Sequence, residues 1–215
     1  MSYLSEAFEV GDERDKSKLI IPGLSFAYVP ENQQWDKVKK DKDILKWRFN
    51  VSLKGADTSL GSDVSYVQGK MFLGNRFRFL DDWYLVSRLD VGWTWADQFT
   101  VLPVSQRFFA GGDFSVRGYS YNSLGPEDDS GKVVGGNRLL VGSMEVQYKF
   151  SPKWDVATFY DAGNAYNGGD FIPEQSTGVG LGWQLPFAVL RGYAAYGLTN
   201  SGYPWRIHII VSAEW

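Results

Sequence analysis

Residues Ser143–Phe150, SMEVQYKF, alternate polar and apolar without a break. Ser143, Glu145, Gln147 and Lys149 fall to one side, and Met144, Val146, Tyr148 and Phe150 to the other. A strand sends successive side chains to opposite faces, whereas a helix would scatter this pattern around its axis. The pattern recurs in KWRFNVSLK (46–54), RLDVGWTW (88–95) and WRIHIIVSAEW (205–215). It predicts about ten strands, near 2–11, 18–29, 45–55, 63–78, 83–95, 138–150, 154–163, 177–185, 188–198 and 205–215. The chain reads as all-β and antiparallel.

The next question is which face meets water. Soluble strands average five or six residues, and these run to about ten, the length that crosses a bilayer as a tilted barrel strand. Their apolar faces are broad, and Trp83, Trp154, Trp205 and Trp215 stand near strand ends, as an interfacial girdle requires. The polar faces carry both signs of charge, which suits a hydrated lumen. The expected fold is therefore an antiparallel transmembrane β-barrel of about ten strands, with a soluble sandwich as the rival. The 24 glycines and 16% aromatic content agree with an all-β chain.

No run of about 18 apolar residues offers a transmembrane helix. Glu6, Glu9, Asp12 and Glu13 interrupt any apolar core of a signal peptide. Cysteine is absent and His208 is the sole histidine, so thiolate and multi-histidine metal sites are excluded. Without a nucleophile motif the chain is expected not to be an enzyme and to need no cofactor. A net charge of -3 gives no nucleic-acid signature.

Barrels alternate short periplasmic turns with longer outer loops. With both termini periplasmic, the outer loops are 11–17, 56–62, 96–137, 164–176 and 199–204. The turns are 79–82, 151–153 and 185–187. The segment 30–44 is too long for its place. The longest outer loop holds FFAGGDFSVRGYSYNSLGP, Phe108–Pro126.

That segment resembles the signature loop of the outer-membrane assembly-factor barrels, the BamA/TamA superfamily. The family pattern RFFAGG, a spacer, VRGY and a Leu/Gly/Pro ending is met from Arg107 to Pro126. GSMEVQYKF, TFYDAGNAY and TGVGLGWQLP resemble the strands that follow. The likeness is good over about 63–215, and the loop is most like that of the TamA branch. Family barrels have sixteen strands and periplasmic POTRA domains; this sequence offers about ten strands and no POTRA domain. The expectation is one barrel domain over 1–215, truncated relative to the family, with a lid loop at about 96–137.

The resemblance implies that this loop folds into the lumen and that Arg117 meets acidic residues of the inner wall. A guanidinium in a partly dehydrated lumen wants a carboxylate. Alternation points both Glu145 and Asp161 inward; the resemblance favours Asp161, with Glu145 as the alternative. Gly118 would permit a tight turn, and Gly111 and Gly112 backbone conformations closed to other residues. Val116 and Tyr119 complete the motif, and Tyr119, Phe108 and Phe109 would pack the loop on the wall. Gly178, Gly180 and Gly182 share one face, where small residues make room for the loop. Trp215 resembles the terminal aromatic by which outer-membrane barrels are recognised for assembly, and also fits a girdle.

By resemblance the chain lies in the bacterial outer membrane and inserts or translocates outer-membrane or secreted client proteins. It would do so through a weak seam between Ser2–Val10 and the strand carrying Trp205, Ile207, Ile209, Val211 and Trp215. The alternatives are the translocator barrel of a patatin-like autotransporter and a small passive channel. Implied partners are outer-membrane lipids, nascent clients, and periplasmic domains or an inner-membrane protein. An exposed seam would also permit self-association.

Overall fold

A computed structural model of the chain describes residues 2–10, 13–29, 46–169, 171–199 and 205–213. Nine strands form one antiparallel sheet: β3 Gly23–Tyr28, β4 Lys46–Ala56, β5 Tyr66–Leu80, β6 Trp83–Ala96, β7 Arg138–Ser151, β8 Trp154–Tyr166, β9 Glu174–Gln184, β10 Ala188–Gly197 and β11 Trp205–Ala213. Each pairs with its sequence neighbours, so the order across the sheet is the order along the chain. Two further strands, β1 Ser2–Val10 and β2 Glu13–Ile21, form a separate hairpin.

The faces are sorted opposite to those of a soluble protein. On β7, Ser143, Glu145 and Gln147 are buried, while Met144 is 57% exposed and Phe150 51%. On β11, Ile207 is 83% exposed and its neighbour His208 only 7%. Trp47, Val51 and Leu53 on β4 and Trp93 and Trp95 on β6 also face outward. Among the described residues no second layer covers this apolar face, which excludes the sandwich. Near the short turns, Trp83 stacks on Tyr148 at 4.7 Å and Trp154 on Trp183 at 5.6 Å. These rings cluster where interfacial aromatics are expected.

Three readings of the sequence need correction. The strand expected over 18–29 is broken at Pro22, which lacks an N–H for the ladder and fixes its own φ. Its first half belongs to β2 and its second to β3. Consequently residues 13–17, expected in a loop, are strand. The loop expected over 164–176 is also shorter, because β8 runs to Tyr166 and β9 starts at Glu174.

The sheet is not closed. Its edges are β3 and β11, and no pairing joins them among the described residues. Ser2–Val10 does not lie against β11; it pairs throughout with β2, from Ser2↔Ile21 to Val10↔Glu13. A short connection makes this local pairing cheap in loop entropy. The hairpin is held in place by Leu19 and Ile21, packed with Ala56, Val64, Tyr66 and Leu102. The amide of Lys18 also donates to Asp63, and that of Ile20 to the Ser62 hydroxyl. The long segment 30–44 and Trp215 lie outside the described residues.

Candidate functional site

The connection between β6 and β7, Asp97–Asn137, folds over the polar face of the sheet. Paired bridges Phe108↔Gly136, Ala110↔Leu124 and Glu127↔Val133 make it a compact arm. Phe108, Ala110, Val116, Tyr119 and Leu124 form a core with Leu139 and Val141 of β7 and Ala165 of β8. Gly92 on β6 admits the Phe108 ring, which would overlap any Cβ there. Arg107 clamps the arm from inside, donating to the carbonyls of Leu102, Thr100 and Val134. Gly111 and Gly112 both take positive φ, 94° and 101°. At Gly111 a Cβ would lie 2.4 Å from the Ser120 carbonyl, so the reversal that delivers the motif needs glycine.

Arg117 is 4% exposed and meets both carboxylates that the sequence offered as alternatives. Its Nε and Nη2 donate to Asp161 at 2.8 Å each, in a bidentate fork. Its Nη1 donates to Glu145 at 2.6 Å and its backbone N–H to Asp161 at 3.0 Å. The guanidinium lies over the Phe159 ring at 3.5 Å and near the Tyr193 ring at 4.6 Å. Burial alone would weaken its charge. Hydrogen bonding and attraction from Asp161, then Glu145, outweigh that and raise its pKa.

The network extends further than the sequence reading reached. Arg191 on β10 donates to Glu145 at 2.8 Å and pairs with Asp155 of β8 at 2.7 Å. The Tyr193 hydroxyl reaches Glu145 at 2.9 Å. Two arginines thus share three buried carboxylates, with Ser143 and Gln147 donating to Asp161 and Glu145. A signal for Arg191 and Tyr193 was present: strict alternation puts both on the inner face of β10. What was missing was any cue that β10 crosses beside the loop. Gly180 also plays a different part from the one expected. A Cβ there would strike the Tyr193 ring at 2.6 Å, so Gly180 makes room for Tyr193, not for the loop itself.

The rest of the motif is anchored to the last strands. Gly118 has φ +96 and sits so close that a Cβ would lie 3.1 Å from Ser176 Cβ and from the Gly197 N. The Tyr119 hydroxyl bonds Glu174 at 3.0 Å, Thr199 at 2.9 Å and the Gln175 carbonyl at 3.2 Å. His208 on β11 accepts from the Gly118 N–H at 3.3 Å and bonds Asp113 through its other ring nitrogen. Trp205, Ile207, Ile209 and Val211 form the outward row of this edge strand. Among the described residues no cluster of side chains could hold a metal ion.

An antiparallel sheet with apolar side chains outside and charges inside, holding an arginine loop against its inner wall, defines the wall of an outer-membrane β-barrel. Residues 45–208 match the Omp85 superfamily domain. The chain belongs to the Omp85 superfamily and lies in the bacterial outer membrane. It is 32% identical over 105 residues to an outer membrane protein assembly factor BamA from Nitratidesulfovibrio vulgaris, covering 45% of this chain and 13% of that protein. It is 26% identical over 172 residues to the BamA of Neorickettsia risticii, covering 73% and 23% respectively. The crystal structure of BamA from Haemophilus ducreyi lacking POTRA domains 1-3 superposes with TM-score 0.73 at 20% identity, over 96% of this chain and 46% of that one. The chain therefore spans less than half the length of each of these relatives.

Proposed function

We propose that the chain is barrel wall from an outer-membrane protein insertion factor, and that its edge strand β11 receives client strands. The observation that carries this reading is the open edge. Among the described residues β11 pairs with β10 on one side only, from Ala188↔Ala213 to Tyr196↔Trp205. A free row of N–H and C=O groups templates an incoming strand by β-augmentation. The outward row of Trp205, Ile207, Ile209 and Val211 keeps that edge in the hydrocarbon, where an unpaired client backbone most needs partners. The Arg117 network acts as the anchor that holds the loop, and through it the inner wall, in one arrangement. Asp161, Glu145 and Gly180 serve that anchoring. Nascent outer-membrane proteins are the client class, and no cofactor or chemical step is involved. The spelling of Arg107–Pro126 supports a place near the TamA branch, while the relatives above are BamA proteins.

The test is reconstitution in liposomes with a denatured outer-membrane barrel as client. Because the chain has no cysteine, Ile209→Cys gives a clean probe of the edge. The expected result is faster client folding, with disulfide trapping of a client strand at position 209. Unchanged client folding together with a steady ion conductance would refute insertion and mark a passive channel instead.

A further inference from the structure

We infer that His208 is a positioning residue that ties the edge strand β11 to the lid-loop motif. The motif is fastened to each part of the inner wall by different side chains. Arg117 holds it to β7 and β8 through Glu145, Ser143 and Asp161. Tyr119 holds it to β9 and to the end of β10 through Glu174 and Thr199. Among the described residues, His208 makes the only side-chain hydrogen bonds between β11 and the loop. Among the described residues β11 has one neighbouring strand instead of two, so this tie supplements its ladder with β10.

The geometry sets the tautomer. Nε2 faces the Gly118 N–H and must present a lone pair, so the proton of the neutral ring sits on Nδ1 and is donated to Asp113. Each end of the tie therefore has its own ring nitrogen: Nε2 holds the Gly118 N–H and Nδ1 holds Asp113, while the neighbouring strand places Tyr193 opposite His208.

The inference rests on the edge-strand reading only for its functional consequence; the tie itself is measured separately. The experiment is amide hydrogen exchange of the detergent-purified protein, corrected for intrinsic pH dependence. At pH 8 His208→Phe should speed exchange at Gly118 and along β11 about tenfold, leaving β7 and β8 amides unchanged. Asp113 is a loop residue with a half-exposed side chain, so Asp113→Ala tests the other end without disturbing the wall; it should loosen β11 alone. Unchanged β11 exchange in both variants, or unchanged Gly118 exchange in His208→Phe, overturns the inference. Client insertion measured on the same variants separates the two claims. Looser β11 with unaltered insertion leaves the tie standing and sinks the edge-strand function.

Discussion

Replacing Arg117 with Met keeps most of the side chain's length and removes its charge. Four side-chain hydrogen bonds and the contact with Phe159 disappear. The two carboxylates do not suffer equally. Glu145 keeps Arg191, the Tyr193 hydroxyl and Gln147. Asp161, fully buried, keeps as hydrogen-bond donors only the Ser143 hydroxyl and the backbone N–H of residue 117, with the charge of Arg88 as its remaining cationic neighbour. Removing one partner of a buried ion pair costs about 3–5 kcal/mol, mostly because the other charge is stranded. Here the stranded charge is Asp161. The loop should therefore open between about a hundredfold and a few thousandfold more often, at 1.4 kcal/mol per tenfold. Native-state cleavage by proteinase K, which does not need arginine, reads that opening when reclosing is fast. Adding Asp161→Asn to Arg117→Met should recover about 2 kcal/mol by removing the stranded charge. Adding Glu145→Gln should recover little, because it takes a partner from Arg191. Equal cleavage of wild type and Arg117→Met, or equal rescue by the two second substitutions, would refute this account of the anchor.

Two further outcomes follow from the same geometry. Gly118→Ala puts a Cβ at positive φ within 3.1 Å of Ser176 and strand β10, and should weaken loop docking by about 1–3 kcal/mol in the same cleavage assay. Val179, at the middle of β9 and facing outward, tests the inside-out sorting: Val179→Arg should cost about 2–4 kcal/mol when unfolding is measured from lipid vesicles, and a change near zero would show that this face does not meet hydrocarbon.

Much of this was legible in single residues. Alternation through SMEVQYKF put Glu145 inside and Met144 outside before any pairing was known, since the period of a strand is a local property. The VRGY context marked Arg117, and the same alternation brought Asp161 and Glu145 to its side of the sheet. Arg191 and Tyr193 showed the correct face but no role, because their meeting with Arg117 depends on the registers of β8, β9 and β10 together. Gly180 was assigned to the loop, yet its space is filled by Tyr193 from the next strand. Alternation through WRIHIIVSAEW put His208 on the polar side, but its partners Gly118 and Asp113 lie 90 and 95 residues away in sequence.

The sequence by itself determined the local and periodic properties: which stretches are strands, which face carries the charges, and where glycine permits positive φ. Strand breaks and sheet edges were less accessible. Pro22 ended a strand that alternation alone would have continued, and a short connection let β1 pair with β2 while β11, among the described residues, kept a free edge. Only the tertiary structure decided those matters, because backbone pairing is satisfied by any strand of suitable length. The choice among partners is set by connection entropy and by side chains such as Leu19 and Ile21, which find their core elsewhere in the chain.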